Sequence, residues 1–175
     1  MPIPYIIGQI IGIIAMAIFF ISYQFKDAKK LMTFQCIAVL TICIHYLLIG
    51  ATSGLLLNVV CLIRNICYAH RDKKFLSWKW IPIFFATVVG IVGILSWQAY
   101  YSIFIVLGLI INTLFLGQTD TQKLRYSILV TSPLVFIYNV FVLSIGGMAN
   151  EVLAITSSII GIIRIKKQNE KMIDL

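Results

Sequence analysis

Asn58, Arg64 and Asn65 interrupt an otherwise apolar stretch, Gly54–Arg71. At helical spacing Gly54, Asn58, Cys61, Asn65 and Tyr68 fall at i, i+4, i+7, i+11 and i+14, so they share one face, with Arg64 about 100° aside. Ninety-three positions later Gly147, Glu151, Ala154, Ser158 and Gly161 repeat the pattern. The same offset carries His45 onto Tyr138, Arg71 onto Arg164 and Lys73 onto Lys166. Amides, a guanidinium, an imidazole and a carboxylate on small-residue stripes are suited to binding a polar solute.

Each of these residues also has a packing explanation. Arg64 stands close enough to a helix end to extend its charge to the membrane boundary. Asn58 and Asn65 could hydrogen-bond between helices. His45 has no second histidine near it, so a packed imidazole outweighs a metal ligand. Glu151 could cap the amino end of its helix, and Gly8 with Gly12 is a small-xxx-small pair that favours close helix packing. The four cysteines, Cys36, Cys43, Cys61 and Cys67, lie in apolar runs without metal-ligand spacing and read as small buried thiols. No metal or cofactor is expected. Paired carboxylates, a serine–histidine–acid set, a glycine-rich phosphate loop and HExxH are all missing, so no enzyme is expected either.

The elements that carry these residues are apolar throughout. Of 175 residues 61% are hydrophobic and 11% charged, and the mean hydropathy is +1.00. Soluble domains hold about 45–50% apolar and about 25% charged residues. Seven apolar runs follow, at Ile3–Tyr23, Leu31–Ile49, Gly54–Ala69, Trp80–Ser96, Tyr100–Leu116, Tyr126–Ile145 and Met148–Ile165. Several approach the roughly 20 residues that span a bilayer as helix. The expected fold class is an all-α membrane protein of seven transmembrane helices. Trp78 and Trp80 against Trp97 bracket the fourth helix as interface anchors.

Thirteen of the fourteen basic residues fall after helices 1, 3, 5 and 7; the exception is Arg64. The opposite segments, around Ala51, Gln98 and Gly146, hold none. The positive-inside rule therefore explains the net charge of +8 without nucleic acid, and places the amino terminus outside and the carboxyl terminus in the cytoplasm. The repeat extends from Lys30-Leu31 with Lys123-Leu124 to Gly54 with Gly147, so helices 1–3 echo helices 5–7 in the same orientation. An odd linker helix is needed between them. The expected organisation is 3+1+3: a first three-helix bundle over residues 1–72, a linker helix over 73–98, a second bundle over 99–167 and a cytoplasmic tail over 168–175. Counting residues inward places Gln9, His45, Asn58, Tyr138 and Glu151 roughly 8–10 Å below the outer surface, and Arg64, Asn65, Asn112 and Ser157–Ser158 about 10 Å deeper.

In their order along the chain, Gln9-x-x-Gly12-x-x-Ala15, His45-x-x-Leu48-x-Gly50, Ser144-Ile145-Gly146-Gly147 with Glu151, and Ile162-Ile163-Arg164 resemble the YgjV family of bacterial inner-membrane proteins. The likeness covers nearly the whole chain and implies a location in the inner membrane more than an activity. At greater distance the plan is similar to the SWEET and PQ-loop transporters, which move small solutes through a pocket between two three-helix bundles. That resemblance implies Asn58 as a counterpart of their third-helix asparagine, with Glu151 in the matching place. Their proline–glutamine signature is incomplete here: Gln24 and Gln118 stand, but Tyr23 and Gly117 replace the prolines, leaving Pro133 to bend helix 6.

The expectation is a small-solute transporter or facilitator, the solute held between bundles by His45, Asn58, Arg64, Asn65, Tyr138 and Glu151. The rival is a non-transporting receptor or assembly partner whose polar stripes only join helices. Membrane lipid and a small polar solute are the expected partners, with self-association left open.

Overall fold

The computed structural model describes residues 3–22, 28–70, 80–116 and 121–173. Within them lie seven helices and no strand: α1 (Ile3–Ser22), α2 (Ala28–Ile49), α3 (Thr52–Ala69), α4 (Ile81–Leu95), α5 (Ser102–Leu116), α6 (Thr121–Phe141) and α7 (Ile145–Ile173). Pro82 sits in the first turn of α4, where its missing N–H costs no intrahelical bond. Pro133 lies inside α6, which continues through it, leaving the Leu129 carbonyl without its usual helical donor.

Two boundaries depart from the apolar pattern. Ile145 opens α7 rather than closing α6, because α6 stops at Phe141 in a turn with Leu143 at φ 53°. Hydropathy does not register such a turn, since Val142, Leu143 and Ile145 are all apolar. The segment expected as a tail from residue 168 continues as helix to Ile173. Gln24, Gln118, Tyr23, Gly117, Trp78 and the basic residues at 26 and 71–79 lie outside the described residues.

Helices adjacent in sequence pack on each other all the way round, and α7 returns against α1. α3 also touches α5, and α4 lies against both. The outer surface is apolar: Ile3, Trp80, Ile94 and Leu95 are 70–81% exposed. The interior is mixed, with Leu57, Val89 and Ile105 buried beside Arg64, Asn65, Thr113 and Asn139. Apolar outside and polar within is the distribution that lipid favours. Ile3–Ser22 and Ile145–Ile163 are long and apolar enough to cross a membrane; Thr33–Ile49, Thr52–Tyr68, Ile81–Leu95 and Ser102–Phe115 are apolar but shorter. Glycines set the closest helix approaches. Gly146 of α7 lies directly on the Gly12 backbone of α1, and a Cβ at Gly93 of α4 would come within 2.5 Å of Val106 on α5.

Candidate functional site

The α2–α3 and α6–α7 turns are built alike, 93 residues apart. Gly50 N–H donates to Leu47 O (3.3 Å) and Ala51 N–H to Tyr46 O (2.9 Å); Leu143 N–H donates to Val140 O (3.2 Å) and Ser144 N–H to Asn139 O (2.9 Å). These are the paired bonds of a Schellman ending, with the left-handed residue at Gly50 (φ 76°) and at Leu143 (φ 53°). The following helix starts correspond as well, Leu55 N–H to Ala51 O and Met148 N–H to Ser144 O, both 2.9 Å.

A helix begins with N–H groups that its own backbone cannot satisfy. At α3 and α7 side chains supply part of what is needed, three of them distant in sequence. Ser53 N–H donates to Gln98 Oε1 (3.0 Å), and Gly54 N–H donates to Tyr138 Oη (2.8 Å). At α7, Ile145 N–H donates to Gln9 Oε1 (3.0 Å), and Gly147 N–H to the local Ser144 Oγ (3.1 Å). Each glutamine also donates to the left-handed residue's carbonyl, Gln98 Nε2 to Gly50 O (3.1 Å) and Gln9 Nε2 to Leu143 O (2.6 Å). Two amide clamps thus hold two repeated turns.

His45 is fully buried between α1 and the α6–α7 turn. Its Nδ1 lies 2.7 Å from Gly8 O, which can only accept, so Nδ1 carries the proton. Nε2 then accepts from Ser144 Oγ at 2.6 Å. A Cβ on Gly12 would come within 2.9 Å of His45 Nδ1, which is why glycine is required there. Tyr138, also fully buried, packs against Tyr46 and Tyr101. Tyr46 Oη donates to Asn139 Oδ1 at 2.8 Å, joining α2 to α6 between residues 93 apart.

Inward of this layer lies a cavity of about 220 Å³. α3 contributes Asn58, Arg64 and Asn65; α7 contributes Asn150 and Glu151; α6 contributes Thr131, Ser132 and Asn139; α5 contributes Asn112. Four of the six expected site residues therefore meet here. His45 and Tyr138 do not line the cavity; they brace the turns beside it. Their polar atoms are taken up by Gly8 O, Ser144 and the Gly54 N–H, partners that spacing along the chain could not reveal.

Arg64 turns inward. It is 5% exposed and holds Thr113 Oγ1 (2.5 Å) with Nη1 and Asn65 Oδ1 with Nε and Nη2 (3.2 and 3.1 Å). Asn112 Oδ1 is a longer contact at 3.5 Å. The alternative of Arg64 reaching the membrane boundary is thereby removed: its long stem spans the 100° offset from the Asn58–Asn65 face. Asn58 Nδ2 donates to Gly54 O (2.8 Å), while its Oδ1 has no protein partner among the described residues. Asn150 Nδ2 donates to Glu151 Oε1 (3.2 Å), and Ser132 flanks the same carboxylate. Asn139 Nδ2 is buried and has no partner among the described residues.

Thr131, Ser132, Asn139 and Asn150 join the site although the stripes did not single them out. The repeat held one clue: Asn139 occupies the place of Tyr46. Gln98, in a loop, carried no periodic signal. The four cysteines are free thiols, two buried and two partly buried.

A family model described as a bacterial inner membrane protein, Imp-YgjV, matches residues 6–169. Nothing matches among the curated proteins or the solved structures.

Proposed function

The chain belongs to the YgjV family of bacterial inner-membrane proteins, and on that footing we propose that it is a small-solute transporter or facilitator. The observation that carries this reading is the cavity, lined by amides, a guanidinium and a carboxylate inside an apolar exterior. Polar groups at membrane depth are costly, and they are retained where they line a solute path or satisfy one another. Here Asn58 and Asn139 both line the cavity, and among the described residues neither Asn58 Oδ1 nor the buried Asn139 Nδ2 has a protein partner.

In this reading the site lies between two parallel three-helix units joined by α4. Support comes from the repeated turns and from the packing: the 93-residue relation carries the α3·α5 contact onto α7·α1. The basic end is cytoplasmic, with the amino terminus outside. In this reading the clamped turns lie at the outer end, so a transport cycle that opens there must part them.

Asn58→Ala and Arg64→Ala, reconstituted in liposomes, are expected to abolish flux of a transported solute while folded yield holds; retained flux in both would end the proposal. A second reading is favoured by His45, Tyr138 and Gln9, whose polar atoms are consumed in bracing: a receptor or assembly partner that moves nothing. A metabolite screen by thermal unfolding, followed by flux assays on each ligand found, separates the two.

A further inference from the structure

Arg64 is a cation at 5% exposure, and its partners among the described residues are all neutral: Asn65, Asn112 and Thr113. No carboxylate among the described residues pairs with it. The one acidic side chain described, Glu151, is occupied by Asn150 and Ser132 elsewhere in the same cavity. Arg64 stands six residues beyond Asn58 on α3, and Glu151 is the repeat counterpart of Asn58, so the two charges differ in depth by about 9 Å.

Amide and hydroxyl oxygens orient a guanidinium but leave its charge uncompensated, and a buried cation is stable only when paired or well hydrogen-bonded. Of its five N–H groups, Asn65 takes two, Thr113 one and Asn112 one at a long 3.5 Å; the remaining Nη2 N–H has no partner among the described residues. One Nη2 N–H is therefore available among the described residues, and the Nη1 N–H held only by the long Asn112 contact can be taken over by a stronger acceptor such as a carboxylate.

We propose that the deep end of the cavity is an anion subsite, and that the solute is a small hydroxy acid whose carboxylate docks on Arg64. Its hydroxyl groups turn outward to Asn58 Oδ1 and the Glu151 carboxylate, both acceptors. The volume of about 220 Å³ suits a small molecule, since a cavity of about 150 Å³ already holds a benzene-sized one. This names the solute class of the transport reading above and rests on that reading only for movement, not for binding.

Thermal unfolding of the full chain in detergent tests it with probes that differ in charge: glycolate, lactate and glycerate against glycolamide, lactamide and glycerol. The acids are expected to raise the melting temperature saturably, beyond sodium chloride at equal ionic strength, and the neutral partners are not. Arg64→Gln is expected to weaken acid binding roughly thirtyfold or more, with part retained in Arg64→Lys. Equal responses to acid and amide, no response to any acid, or an undiminished response in Arg64→Gln overturns the subsite. Should Arg64→Gln fail to fold, the acid–amide comparison on the unaltered chain decides alone. Liposome assays keep the two proposals apart. An acid that binds through Arg64 but is not moved overturns transport and leaves the subsite standing. Neutral solutes moved equally by wild type and Arg64→Gln, without acid binding, do the reverse.

Discussion

Leu143 and His45 show how differently single residues contribute. Leu143 holds a left-handed backbone that its repeat counterpart assigns to glycine. A side chain in that region costs about 1–2 kcal/mol, partly offset by glycine's larger entropy when unfolded. Leu143→Gly is therefore expected to stabilise by up to about 1 kcal/mol, and Gly50→Leu to destabilise by at least as much, read from denaturation midpoints in detergent. His45→Phe keeps the ring but removes both hydrogen bonds. Leaving Ser144 and Gly8 O short of a partner is expected to cost about 1–3 kcal/mol. Because His45 does not line the cavity, ligand affinity in the folded fraction should stay within about twofold, a change a 0.4 kcal/mol effect would produce. A large loss of affinity at preserved stability would return His45 to the binding site.

Helix contacts depend on where glycine is needed. A Cβ at Gly146 would run into the Gly12 backbone, and one at Gly8 would lie 2.9 Å from the Ile49 methyl. Neither neighbour is the free end of a flexible chain, so alanine at either position is expected to push α1 from its partner at about 1–3 kcal/mol. Gly90 is the contrast, since the nearest atom to a Cβ there is Ile110 Cδ1 at 3.8 Å. Gly90→Ala should gain about 0.5–1 kcal/mol from helix propensity alone. Melting temperatures of the three variants, ranked against wild type, check the assignment; a destabilised Gly90→Ala would contradict the packing of α4 on α5. The helices themselves were legible from apolar run length. The α6–α7 boundary was not, because a Schellman turn made of apolar residues looks like more helix.

At the scale of the whole molecule, the clamps bring the start of α1, the α2–α3 turn, the α4–α5 loop and the α6–α7 turn to one end. These are the segments without basic residues, so charge and packing sort the ends in the same way. In a background with Cys36, Cys43, Cys61 and Cys67 replaced, a membrane-impermeant thiol reagent applied to intact cells is expected to label Trp97→Cys and not Lys166→Cys. Both native side chains are exposed, so protection at one of them reports the membrane rather than burial. Labelling of Lys166→Cys alone would invert the orientation.

From the sequence alone came the helix count, the sorting of positive charge to one end, the family likeness and the repeated stripes. All four are readable because hydropathy and charge are local properties with fixed helical periods. Tertiary structure decided which members of the stripes line the cavity and which hold the bundle. His45 and Tyr138 matched as a repeat pair, yet both are spent on bracing: Tyr138 on the Gly54 N–H that opens α3, His45 between Gly8 O of α1 and Ser144 at the α6–α7 turn. Arg64, with two directions open to it, turned inward to Asn112 and Thr113, residues 48 and 49 positions away. The sequence shows that a polar group must find a partner at membrane depth; only the packed helices show which partner it finds.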